Sequence, residues 1–259
     1  MGGTFLELLT HPLARGVPID DPSAIPMRRE LIRRKGFLRR VYEKWYRSIV
    51  SEVPSGGAPV LELGSGPSFL KDRLPGLVTS DVQWAAGLDV VLDGLFLPFA
   101  AGSLDAIVMT NVLHHLRDVR LFFGGAARVV RPGGAAVLIE PWVTEFSRLV
   151  YAFHHEPFRP GAADWSFPPA GPLSGANGAL PWIVFARDRA GFEREFPMWQ
   201  IEKIEPMMPL LYLLSGGVSM RSLMPAWSFP LWTAVERGLA GFRWQLGMFA
   251  LIVLRRRAG

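Results

Sequence analysis

Val60-Leu61-Glu62-Leu63-Gly64-Ser65-Gly66-Pro67-Ser68 constrains the fold of this chain more than any other stretch. A short apolar run ends in a carboxylate and passes straight into a glycine-rich bend. A buried parallel strand delivers its chain in this way to a ligand pocket at the carboxyl edge of a sheet. The two glycines let the main chain approach a bulky ligand with its N–H groups turned inward. Such turns serve many nucleotides, so the bend alone does not choose the ligand.

The sequence around it repeats the theme. Between residues 59 and 141, short apolar runs at 60–63, 77–79, 88–92, 106–109 and 135–139 alternate with turns or helical segments. Strands alternating with crossovers imply a parallel sheet with helices on both faces. Residues 119–130 have the clearest helical pattern, and Arg131-Pro132-Gly133-Gly134 stops it. Further on, 146–153 and 187–196 read as helices, and 199–205 and 248–254 as strands. The segments 143–186 and 207–245 are irregular, rich in Pro, Gly and aromatic residues, and read as insertions over a core.

At 259 residues, 49% hydrophobic and with a mean hydropathy of +0.21, the chain can bury a large core. No apolar run approaches the roughly 18 residues that span a bilayer. Met1-Gly2-Gly3-Thr4-Phe5 lacks the basic start of a secretory signal, so a cytoplasmic location is the expectation. Cysteine is absent, which excludes disulfides and thiolate metal sites.

The net charge of +5 is concentrated in one place, because residues 28–47 hold nine basic and two acidic side chains. After an extended lead-in over 1–27, residues 28–50 read as one amphipathic helix. Leu31, Leu38, Trp45 and Ile49 share one face; Arg29, Arg33, Arg40, Lys44 and Arg47 lie opposite. Two readings stand for that basic face: a solvated surface of a docked helix, or attraction to an anionic membrane. Arg255-Arg256-Arg257 adds to the second.

The central segment resembles a class I S-adenosylmethionine-dependent methyltransferase, similar to the broad branch that includes ubiquinone and menaquinone biosynthesis enzymes. The motifs carrying the resemblance are the glycine bend, Thr79-Ser80-Asp81-Val82, Asp93-Gly94-Leu95-Phe96-Leu97-Pro98-Phe99, Asn111-Val112-Leu113-His114-His115-Leu116, and Arg128-Val129-Val130-Arg131-Pro132-Gly133-Gly134. The third glycine of many family members is Ser68 here. The resemblance implies a Rossmann-like α/β fold: a seven-stranded, mostly parallel sheet with helices on both faces, carrying an N-terminal amphipathic helix and lid insertions. It implies one methyltransferase domain over 1–259, with a lead-in and helix at 1–50, the cofactor core at 59–142, and substrate insertions at 143–186 and 207–245. Its donor site would comprise Glu62, Gly64, Ser65, Gly66, Asp81, Val82, Asp93, Gly94 and Asn111. Asp81 would accept from both ribose hydroxyls and Asp93 would read the adenine amino group. A nicotinamide dinucleotide fits less well, since Phe69 stands where that fingerprint needs a glycine.

The methyl donor supplies its own electrophile, so an enzyme of this kind mostly places and desolvates a nucleophile, adding a base where the acceptor must lose a proton. His115 is the preferred base, with Glu140 and His155 as further candidates. His154-His155-Glu156 offers adjacent ligands that diverge, so no metal site is expected. Methionine and aromatic residues of the second insertion, from Met207 to Trp244, suit an apolar small-molecule or lipid-like acceptor methylated at oxygen or carbon. Two alternatives are a glycan hydroxyl stacked on Trp165 and Trp182, and a cofactor-binding scaffold without turnover. Asp164 and Asn177 share that insert as candidates for acceptor recognition or for fixing the insert itself. No Asn/Asp-Pro-Pro-aromatic motif follows the fourth strand, so nucleic acid is not an expected partner. Oligomeric state is left open.

Overall fold

The apolar runs become one seven-stranded sheet in the computed structural model, which describes residues 9–18, 20–153, 157–168, 171 and 175–258. The strands are β1 (Val60–Leu63), β2 (Leu77–Asp81), β3 (Val90–Val91), β4 (Leu104–Thr110), β5 (Val130–Pro141), β6 (Trp199–Met207) and β7 (Phe249–Arg256). Their order is β3-β2-β1-β4-β5-β7-β6. The first five are parallel, and β7 runs antiparallel to both β5 and β6. Strand order reverses between β1 and β4, the switch point where open α/β sheets bind ligands. The expected mostly parallel, Rossmann-like sheet is therefore what this sequence forms.

Alternation along each strand builds a core on each face. Leu61, Leu63, Ile107, Met109 and Leu138 pack with Phe122 and Phe123 of a helix spanning Val119–Val129. Val60, Val108, Val137 and Ile139 face the other way, onto Phe37, Leu38, Trp45 and Ile49.

The single amphipathic helix expected over 28–50 is two helices, α1 (Ala24–Arg34) and α2 (Gly36–Glu52). The lead-in consequently ends sooner than the sequence suggests. Lys35 breaks the run because its side chain has partners elsewhere. Its Nζ donates to the carbonyls of Gly217 (2.5 Å) and Met220 (2.6 Å), and burial pushes its pKa down to about 8. Gly36 then lets another segment close in, since a Cβ there would lie 3.0 Å from Ala226 Cβ.

Much of the basic face expected to meet solvent or membrane is used within the protein. Arg33 and Arg34 pair with Glu30, Arg39 with Glu43, and Lys44 with Glu236. Arg255 bonds Glu202 and Glu52, and Arg256 donates to the Ala127 carbonyl. Among the described residues no helix is long and apolar enough to cross a membrane.

Candidate active site

Glu62, the last residue but one of β1, turns its carboxylate back into the bend instead of into open space. Ser65 Oγ donates to Oε2 (2.8 Å) and Ser68 Oγ to Oε1 (2.7 Å), while Tyr46 donates to Ser68 Oγ (3.0 Å). Ser68, standing where many relatives of this motif have glycine, thus ties the bend to α2. Burial pushes the Glu62 pKa up to about 7 against the pull of these hydroxyl donors. Gly64 has φ +64°, and a Cβ there would sit 2.4 Å from Val112 Cγ2. Arg29, expected on the solvent pole, instead donates to the Gly66 carbonyl (2.8 Å) and the Ala86 carbonyl (2.9 Å), clamping the bend from α1.

A cavity of about 780 Å³ opens at the carboxyl ends of the parallel strands. Gly64, Gly66, Asp81, Val82, Asp93, Gly94, Asn111 and His115 all wall it. Glu62, Ser65 and Glu140 stand behind that wall and shape it from within the fold. Asp81 accepts from the Gly66 N–H (3.0 Å) and the Gln83 N–H (3.0 Å); burial raises its pKa, and these bonds oppose the rise. Asp93 accepts from the Leu95 N–H (2.9 Å). Asn111 adopts φ +58°, a conformation few residues other than glycine and asparagine tolerate. Its Oδ1 and the neighbouring Thr110 Oγ1 are buried and, among the described residues, unpartnered. Two orphaned acceptors on a cavity wall are a cost that a polar ligand would remove.

The loop after β4 carries the two histidines. His114 is 2% exposed and its Nδ1 lies 2.6 Å from Glu140 Oε2, at the end of β5. The other Glu140 oxygen accepts the N–H groups of Val112 and Leu113, each at 2.8 Å. A carboxylate can only accept, so Nδ1 carries the proton and Nε2 is the basic nitrogen. His115, preferred from sequence, also reaches the cavity, but its Nδ1 contact to the Gly175 carbonyl is long at 3.4 Å. The held imidazole is that of His114. His155 lies outside the described residues.

One further feature was not distinguished in the sequence. Arg28 of α1 lines the cavity near Asp81 and Tyr42, and has no carboxylate partner among the described residues. Nothing in a run of arginines marks one of them as inward. Tyr151, Tyr212, Leu213, Met220, Met248 and Phe249 add an apolar wall drawn from both sides of the second insertion.

In the first insertion the contacts favour one of the two roles the sequence left open, fixing the insert itself. Trp165 is buried, with the Arg120 guanidinium 4.5 Å from its ring and its Nε1–H on Asp188. Its face is not open to a sugar. Asn177 exchanges hydrogen bonds with the Arg159 backbone, and Asp164 pairs with Arg120, so both fix the insert. Phe69 packs on Tyr46 (4.8 Å) beneath the bend. Among the described residues no cluster of three or more His, Cys, Asp or Glu could hold a metal ion.

Comparison with known proteins agrees with this geometry. Residues 73–138 match the family described as methyltransferase domain. A protein of Mycobacterium sp. (strain JLS), named an uncharacterized methyltransferase, is 34% identical over 102 residues, covering 34% of this chain and 40% of its own length. A demethylmenaquinone methyltransferase of Corynebacterium glutamicum (strain R) is 33% identical over 113 residues, covering 39% and 48%. The chain thus spans under half the length of these relatives. The solved 4+2 cyclase SpnF superposes with a TM-score of 0.50 at 13% identity, over 83% of this chain and 81% of that one. That likeness shows the fold alone, and a cyclase on it is a reminder that the site must carry the function. The fold and the match over residues 73–138 together liken the central segment to a methyltransferase domain of class I architecture, the class that uses S-adenosylmethionine.

Proposed function

We propose that the chain transfers the methyl group of S-adenosylmethionine to an apolar small-molecule or lipid-like acceptor, at oxygen or carbon. The observation carrying this reading is the cavity wall itself, where Asp81, Asp93 and the unpartnered Thr110 Oγ1 and Asn111 Oδ1 converge. Those groups fit the donor chemically. Asp81 has lone pairs left for both ribose hydroxyls, Asp93 for the adenine amino group, and Val82 offers an apolar flank for the base. Arg28 supplies the cation that the donor's carboxylate needs.

When bound, the donor supplies a methyl group on a cationic sulfonium. The chain's residues do the remainder. The apolar wall from Tyr212 to Met220 and at Phe249 excludes water and holds the acceptor. His114 Nε2 takes the acceptor's proton where the acceptor has one to lose, and Glu140 stabilises the imidazolium that results. Residues from Ala14 to Phe249 contribute to the one cavity, which supports the lead-in, core and insertions working as a single unit. A quinone-like ring would suit the apolar wall, and the demethylmenaquinone methyltransferase among the relatives supports that branch.

Calorimetric titration with S-adenosylmethionine and its demethylated product tests the donor site. Incubation with labelled donor and cell-extract fractions, with mass spectrometry of the labelled product, then identifies the acceptor. Donor and product binding is expected; binding of neither would leave only a scaffold.

A further inference from the structure

We infer that the second insertion carries a docking face for an anionic lipid bilayer, centred on the helix α3 (Phe229–Gly238). Trp227, Leu231 and Val235 recur every four residues on this helix and its entry turn, which sets them on one side of it. Trp227 is 78% exposed and Leu231 60%, and Phe242 at 60% and Trp244 at 55% follow directly after the helix. Five large apolar side chains in eighteen residues of one surface segment exceed the scattered singles of an ordinary surface. Tryptophans flanking an apolar stripe are the pattern of a helix lying in a membrane interface.

The neighbouring element identifies the partner. Phe37 meets Phe229 (5.1 Å between rings) and Lys44 meets Glu236 (3.5 Å), so α2 runs beside α3, both advancing seven residues between contacts. That places Arg40 and Arg47, also seven apart, along the same flank, with the Arg40 guanidinium 5.9 Å from the Phe229 ring. Both are exposed, as is Arg237 of α3, and none of the three has a carboxylate partner among the described residues. An apolar stripe with unpaired arginines beside it complements an anionic leaflet. A second copy meeting this face about a twofold axis would bring the same arginines against each other. The face also connects to the cavity: Leu213, on the cavity wall, neighbours Leu214, whose carbonyl accepts the N–H of exposed Leu223 (2.9 Å). The basic face, for which the sequence left both solvent and membrane open, thus becomes the border of an apolar contact.

The full chain should co-sediment with phosphatidylcholine vesicles containing phosphatidylglycerol, more weakly as salt rises, and with a blue shift in tryptophan emission. Trp227→Ser with Leu231→Gln should lower vesicle affinity at least about tenfold. Arg40→Gln with Arg47→Gln should lower it about fivefold per charge, and only where phosphatidylglycerol is present. Donor affinity and melting temperature should stay unchanged in both pairs. Failure of the intact chain to bind either vesicle overturns the proposal, as does binding indifferent to both pairs. Concentration-dependent dimerisation abolished by Trp227→Ser with Leu231→Gln would assign the face to a second copy instead. Vesicle binding is read without any methyl transfer, so this result and that of the catalytic reading separate cleanly.

Discussion

His114 Nδ1 and Glu140 Oε2 stand 2.6 Å apart in the interior, while the second oxygen of the same carboxylate holds the N–H groups of Val112 and Leu113. One side chain at the end of β5 therefore fixes both the backbone of the loop after β4 and the ring that this loop presents. The loop's path decides where Asn111 and His114 face the cavity. On the proposed function Glu140, a base candidate in the sequence, acts as a positioning residue.

His114→Gln should lower the turnover of a proton-losing acceptor about 10²–10⁴-fold, with donor affinity within about threefold of the parent. On this reading His115→Gln should cost far less, because the 2.6 Å contact to Glu140 belongs to His114. Glu140→Ala strips partners from two N–H groups and an imidazole, a stability loss on the order of 3 kcal/mol. Single-turnover rates beside calorimetric donor affinities check all three. A fully active His114→Gln enzyme would remove the imidazole from the chemistry.

The donor half of the cavity makes its own forecast. Asp81→Ala removes the acceptor for two ribose hydroxyls and should weaken donor binding about 10- to 100-fold. Arg28→Gln should weaken it about tenfold, and that loss should shrink for an analogue lacking the carboxylate. Equal losses for both ligands would place Arg28 against some other group.

How much of this was readable in advance depended on where the cause lay. Parallel strands covered on both faces are continuous apolar runs, so 60–63 and 135–139 declare themselves, and the bend after β1 follows from its glycines. The break at Lys35 did not, because its causes are the carbonyls of Gly217 and Met220 and the close approach of Ala226, all remote in sequence. The sequence prefers His115 as the base, and the short contact of His114 to Glu140, 26 residues on, is invisible to local pattern for the same reason. Trp165 looked like a recognition residue by composition, yet Arg120 and Asp188 cover it. Local pattern gave the scaffold; pairing across the fold gave the chemistry.

Glycine positions separate two effects that a sequence cannot. Gly64→Ala combines a positive φ with a Cβ 2.4 Å from Val112, and should cost about 3 kcal/mol or more. Gly124 lies inside the helix Val119–Val129 with nothing within 4 Å of an added Cβ, so Gly124→Ala should stabilise by about 0.5–1 kcal/mol. Urea unfolding of the two variants should move in opposite directions, and donor binding should change only in the first.

Glu62 links the bend to pH. Its buried carboxyl holds a proton up to about pH 7 in the folded chain, whereas the unfolded carboxyl releases it near 4.5. Between those values the folded state binds more protons than the unfolded one, so stability falls as pH rises through the window. The full difference is on the order of 3 kcal/mol. Glu62→Gln replaces the neutral carboxyl with an amide of similar shape, and the hydroxyls of Ser65 and Ser68 can turn to accept from it. The variant should therefore match the parent near pH 5 and exceed it near pH 8. Asp81, also raised, adds a Coulomb push to Glu62 and contributes a slope of the same sign in both proteins. The difference between the two profiles therefore reads Glu62 and its coupling to Asp81. Unfolding free energies measured at several pH values check the divergence. Parallel profiles would mean that Glu62 is ionised throughout, and that its two serine donors outweigh its burial.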